Sequence, residues 1–174
     1  MTVKKILTAP DPFLKQISKP VDEVTKEIQD LMDDMLDTMY DAPGIGLAAV
    51  QIGVPLRVIV MDISWRNEEG IKEPLYFVNP EITVKTKNLS TYEEGCLSVP
   101  DQYAEIDRPD KLKIEYIDEN NQKKILSTDG FNSRIIQHEL DHLNGILFVD
   151  HLSRLKRDVI IRKMKKFKKE EKIV

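Results

Sequence analysis

The chain has 174 residues, 41% of them hydrophobic, a formal net charge of −4 and a single cysteine. That is enough for one sizeable core and short for two, so one domain over 1–174 is expected, and the acidic balance speaks against wholesale nucleic-acid binding, DNA included. No apolar run approaches the roughly 20 residues of a membrane span, "MTVKKILTAPDPFLKQI" is broken by prolines and charges where a secretory signal is apolar, and a lone thiol suits a reducing compartment, so a soluble cytoplasmic protein is expected.

In chain order, "DPFLKQIS" from Asp11 predicts a short helix with Asp11 as cap and Pro12 in its first turn. From Val24 to Met39, the apolar residues Val24, Ile28, Leu31, Met32, Met35, Leu36 and Met39 recur at three and four, one face of a helix whose methionines fill core. "APGIGLAAVQIGVP" then interrupts with glycines and prolines, a loop or irregular strand whose backbone can be approached closely. The middle is β: "LRVIVMDI" is a buried-type run, "LYFVNPEITVKT" alternates at Ile82 and Val84, and "KLKIEYID" alternates before the turn "ENN" and the strand "KKILS". "STDGFNSRIIQHELDHLNG" restarts helical spacing after Ser127, Thr128 or Asp129 as cap, and Gly145 follows as a stop. Residues 152–174 set Leu155, Val159, Met164 and Phe167 on one side of an amphipathic helix. This last segment holds ten Lys or Arg against three Asp or Glu, a surplus of +7 on a chain of net −4, so the remainder carries −11. With no repeat, low-complexity tract or linker, helices and short mixed or antiparallel strands packed around the "QHELDH" helix make an α+β fold.

The chemistry concentrates in "QHELDH", 137–142. Residues four apart share a helix face, so His138 and His142 can place two imidazoles on one cation while Glu139 stands beside them, placed to handle the proton of a metal-bound water. Two histidines are only two ligands. Candidates for the third are a carboxylate, His151 or Cys96. His151 follows the helix stop and reads as an exposed or capping residue. Cys96, in "YEEGCLSVP", is the better fit, because a thiolate with two imidazoles leaves one tetrahedral position open for water. A sulfur ligand narrows the metal to iron, zinc, nickel or cobalt.

Three segments together, "GIGLAAVQ" at 44–51, "EGCLS" at 94–98 and "QHELDH" at 137–142, resemble the peptide deformylases in order, spacing and chain length. The resemblance implies hydrolysis of the N-formyl group from the initiator methionine of new polypeptides, with release of formate. It implies that Cys96, His138 and His142 hold a metal, usually ferrous iron in such enzymes, with Zn2+, Ni2+ or Co2+ able to take its place. Glu139 becomes the general acid/base, and the Gln51 side-chain amide and Leu97 backbone N–H point at the oxygen of the formyl carbonyl. Gly44, Ile45 and Gly46 run alongside the substrate as an added strand does. Ile45, Phe131, Ile135 and the stem of Arg134 are candidates for the methionine pocket. The chain departs from the common pattern at Tyr103, where many members have arginine, and at Ser133, where alanine is frequent.

Asp141 is expected to point away from the two histidines, as a partner of groups behind the metal or of the helix surface. Glu93 and Glu94 are expected to orient the loop carrying Cys96, and Arg108 to pair with one of these acids. Two further readings stay open beside the deformylase: a zinc metallopeptidase, for which Cys96 and Gln51 have no use, and an RNA- or ribosome-binding module acting through the cationic tail. Family members are thought to dock at the ribosomal exit through a C-terminal helix, so the basic tail is expected to contact ribosomal RNA. A monomer is the default.

Overall fold

The computed structural model describes residues 2–173. Helix α1, Lys26–Asp41, is capped by the Thr25 side chain, and Pro43, which has no N–H to donate, follows its end. Five strands form an antiparallel sheet: β1 Gly46–Ala48, β2 Val58–Met61, β3 Leu75–Lys85, and, after an intervening hairpin, β6 Lys111–Ile117 and β7 Lys123–Asp129, in the order β1-β2-β3-β6-β7. The hairpin is a separate two-stranded sheet, β4 Leu89–Cys96 and β5 Val99–Pro109. Every pairing between these strands is antiparallel, and parallel geometry is confined to an isolated bridge between Lys19 and Leu56. Helix α2, Gly130–Leu143, and helix α3, Arg154–Ile173, complete an α+β architecture with a C-terminal helix.

Period-two alternation in β2 explains why the sheet carries a helix on each face. Val58 and Val60 join Met32, Met35, Leu36 and Met39 of α1, whereas Ile59 and Met61 join Ile135, Ile136, Leu140 and Leu143 of α2. α2 is buried nearly all round, because the sheet covers one side and the β4–β5 hairpin packs on another. The glycine stop is confirmed: Gly145 has φ +73°, and its amide and that of Ile146 close onto the carbonyls of His142 and Asp141. A Cβ at this glycine would lie 2.3 Å from the Lys15 carbonyl oxygen, so the helix end is pressed directly against the N-terminal segment.

Two expectations need correction. The segment before Cys96 is a strand, not a loop. On β5, Ala104, Ile106 and Arg108 turn inward while Tyr103, Glu105 and Asp107 turn outward, a period-two signal interrupted by charge. The packed face of α3 is also rotated from the expected one. Ile160 and Met164 are buried, with Ile161 and Phe167 beside them, whereas Leu155 is 72% and Val159 40% exposed. The acceptor Asp150 fixes that rotation by receiving Arg157 Nε at 2.9 Å.

Candidate metal centre and active-site cleft

β4 and α2 bring Cys96, His138 and His142 together, their ligand atoms all within 4.8 Å of one another. Cys96 Sγ lies 3.3 Å from His142 Nε2. Metal–sulfur and metal–nitrogen bonds of about 2.3 and 2.0 Å at a tetrahedral angle put S and N roughly 3.5 Å apart, so these atoms are spaced to share one cation. Of the three candidates for third ligand, Cys96 is the one whose donor atom lies with both imidazoles among the described residues. His151 sits elsewhere, its Nε2 on Asp141 Oδ2 at 2.8 Å.

The His138 imidazole is prepared for this from behind, whereas His142 Nδ1 has no hydrogen-bond partner among the described residues. His138 Nδ1 meets Glu94 Oε1 at 3.0 Å, which leaves Nε2 to face the sulfur side. Burial pushes the pKa of His142 well below its ordinary value, so it is neutral and free to ligate. Burial also acts downward on His138, but the Cys96 sulfur, Glu94 and Glu139 outweigh it and hold its pKa high. A cation must displace that proton, which makes loading pH-dependent.

Glu94 is the hub. Burial alone pushes its carboxyl up, yet hydrogen bonds from His138 and Arg108 bring it down to about 2. Arg108 grips it with Nε at 2.6 Å and Nη2 at 2.9 Å, and reaches Asp141 Oδ2 with Nη1 at 2.9 Å. Asp141 therefore points away from the histidines, as expected, and Arg108 pairs with two acids. Glu93 is exposed. Arg134 lines the cleft, and its guanidinium, for which the sequence offered no partner, is buried on Glu94, the Ile106 carbonyl and the Ser90 carbonyl, so it also stiffens the hairpin.

Glu139 is 4% exposed, and its Oε2 makes no hydrogen bond to the described residues. Burial pushes its carboxyl up to about 7, with Glu94 and Asp141 adding to the rise and the charges of His138 and Arg108 opposing it. Gln51 is buried; its Oε1 accepts from the Ala48 amide at 2.9 Å, and its Nε2 donates to Ser98 Oγ at 2.9 Å and faces Cys96 Sγ at 3.7 Å. Ser98, which sequence reasoning passed over, also donates its amide to that sulfur at 3.4 Å. The backbone N–H groups of Ile45 and Leu97 make no backbone hydrogen bond among the described residues.

Cys96, His138 and Glu139 open onto a cleft of about 590 Å³ also lined by Gly44, Ile45, Gly46, Gln51, Leu97, Phe131, Arg134 and Ile135. Ile135 is buried and Phe131, 52% exposed, stands at the rim. Tyr103 lies across Gly95, where a Cβ would come within 2.6 Å of its ring, and forms an aromatic wall beside Cys96. A hollow of about 620 Å³ between β6, β7 and α2 contains none of these groups.

One cysteine sulfur, two imidazoles on a helix and a buried carboxyl near neutrality are the groups of a class: the metal-dependent hydrolases. The family model described as polypeptide deformylase matches residues 3–158. The peptide deformylase of Pelagibacter ubique is 60% identical over 174 residues, covering all of both chains, and that of Agrobacterium fabrum is 52% identical over 95% of this chain and 96% of its own. Among solved structures, the peptide deformylase of Ehrlichia chaffeensis in complex with actinonin superposes with a TM-score of 0.89 at 40% identity, covering 95% of this chain and 98% of that one. The Legionella pneumophila enzyme gives 0.89 at 44%, covering 98% of each. The chain belongs to the polypeptide deformylase family, metal-dependent hydrolases that remove the formyl group from the N-terminal methionine of newly made peptides.

Proposed function

We propose that residues 1–174 form a single catalytic unit in which Cys96, His138 and His142 hold one Fe2+, with Zn2+, Ni2+ or Co2+ able to replace it. The observation that carries this reading is the convergence of three ligand atoms within 4.8 Å beside a buried carboxyl with a pKa of about 7. Held by Cys96, His138 and His142, such a cation would supply Lewis acidity that lowers the pKa of a water from about 15.7 toward roughly 7. Glu139 takes the proton of the attacking water and hands it to the departing amine, and its raised pKa suits both halves of that task. The Leu97 N–H and the Gln51 amide stabilise charge developing on the formyl oxygen; losing one such donor costs about 100-fold or more. For Gln51 this requires that its Nε2 give up one of its present contacts.

The peptide lies along Gly44, Ile45 and Gly46 as an added strand, with the methionine side chain among Ile45, Phe131, Ile135 and the Arg134 stem. The cytoplasm suits this chemistry, since an iron–thiolate site is open to oxidation; among the described residues no helix is long and apolar enough to cross a membrane. The unit acts as a monomer. α3 carries the basic surplus toward ribosomal RNA; co-sedimentation with ribosomes at low salt that survives deletion of 152–174 would remove this part of the reading.

The test is formate release from formyl-Met-Ala-Ser by anaerobically purified protein beside Glu139→Ala. Formate from the first and nearly none from the second is the expected result. Full activity of the variant would overturn the role of Glu139.

A further inference from the structure

Gly44 and Ile45 line the cleft, and behind them lies a cluster around the buried Asp62 that does not. Asp62, 1% exposed, accepts from the Tyr40 hydroxyl at 2.6 Å, the Glu73 amide at 2.9 Å and the Trp65 amide at 3.3 Å. Its own N–H donates to the Ile45 carbonyl at 2.9 Å. These bonds set the connection between β2 and β3 and aim the chain's one tryptophan. The Trp65 indole Nε1–H donates to the Gly44 carbonyl at 3.0 Å, and its ring meets Tyr40 edge to face at 5.2 Å between centroids. Net burial of a carboxylate is costly unless it is hydrogen-bonded, and here its acceptors are used to hold a loop against the substrate-facing segment.

The Gly44 carbonyl and the Ile45 N–H belong to one planar trans peptide unit, so they point in opposite directions. A donor that grips the carbonyl from behind turns the amide forward, toward the cleft, where it makes no backbone bond among the described residues. We propose that Trp65 is a positioning residue, set by Asp62 and Tyr40, that aims the Ile45 N–H at the backbone of the bound peptide. The inference rests on the strand-pairing reading above.

Two variants separate donor from ring. Trp65→Phe keeps an aromatic body without the N–H. Trp65→His, assayed at pH 8 where imidazole is neutral, can place a ring N–H at the same distance from Cβ. With holoenzyme and formyl-Met-Ala-Ser, Trp65→Phe raises KM about five-fold with kcat within two-fold, the factor supplied by a hydrogen bond of about 1 kcal/mol. Trp65→His returns KM to within about two-fold. An unchanged KM for Trp65→Phe, or equal losses in both variants, overturns the proposal. The strand pairing is read separately in 15N-labelled, zinc-loaded wild type, where adding Met-Ala-Ser moves the Ile45 amide proton downfield. If that proton does not respond, the pairing itself is wrong and the proposal falls with it; a response with unchanged KM in Trp65→Phe rejects Trp65 alone.

Discussion

Gly46 is the most informative single position for the role of Glu139. A Cβ built there lies 2.8 Å from Glu139 Oε1 and 3.2 Å from both Cδ and Cγ, without any positive φ to strain the backbone. Ordinary contact begins near 3.4 Å, so Gly46→Ala demands a displacement of about half an ångström. β1 cannot easily yield it, because Gly46 is paired with Met61 in the sheet. Nor can Glu139 swing into solvent, since the side chain is enclosed; the carboxyl itself must shift. Misplacing a reacting group by about 1 Å can cost about 100-fold, so kcat is expected to fall about 10- to 100-fold while the metal stays bound. The assay is formate release with a parallel metal determination and a thermal melt. Wild-type kcat in a metal-replete, folded variant would refute the argument that Glu139 is held where the chemistry needs it.

Glu94 predicts an acid limb in stability. Its carboxyl sits at about 2 in the folded chain against an ordinary 4.5, so its contribution is complete above pH 4.5 and is lost as the pH falls toward 2; at 1.36 kcal/mol per unit it is about 3 kcal/mol. Denaturant titrations between about pH 2 and 5 should show this slope in the wild type and a flatter one in Glu94→Gln, and equal slopes would show that the network is not linked to folding. The same variant, leaving His138 Nδ1 without its carboxylate, should bind metal about 10- to 100-fold more weakly in a chelator competition. Cys96→Ser should abolish stoichiometric metal and formate release together, whereas an active, metal-replete Cys96→Ser would favour a different third ligand. Gly145→Ala meets both a positive φ and the Lys15 carbonyl, so it should cost about 2–4 kcal/mol and lower Tm by roughly 5–15 °C, an effect calorimetry would detect.

Much of the chemistry was legible because it is local. His138, Glu139 and His142 share a turn and a face by helical geometry alone, and β2, β3, β6 and β7 announce themselves by alternation or apolar runs. Cys96 was favoured by the chemistry of thiolate ligation, and the three motifs in order pointed to the family. The hairpin β4–β5 was not seen, because its inward positions include Glu94 and Arg108, which read as surface charges until each is placed against the other. The anchoring of the Arg134 guanidinium was not seen for the same reason: a buried cation is tolerable only where its acceptors lie, and these come from residues 90, 94 and 106.

By itself, then, the sequence determined the helix face shared by His138 and His142, most strands, the glycine that stops α2 and the class of chemistry, since all depend on stereochemistry within a few residues or on motifs read as words. Tertiary structure alone decided that Cys96 meets His138 and His142 across 42 residues from His138, that α3 packs through Ile160 and Met164, and that Trp65 reaches back to Gly44. Those outcomes depend on which distant groups can satisfy each other's charge, hydrogen bonds and volume once water is excluded, and no local pattern carries that information.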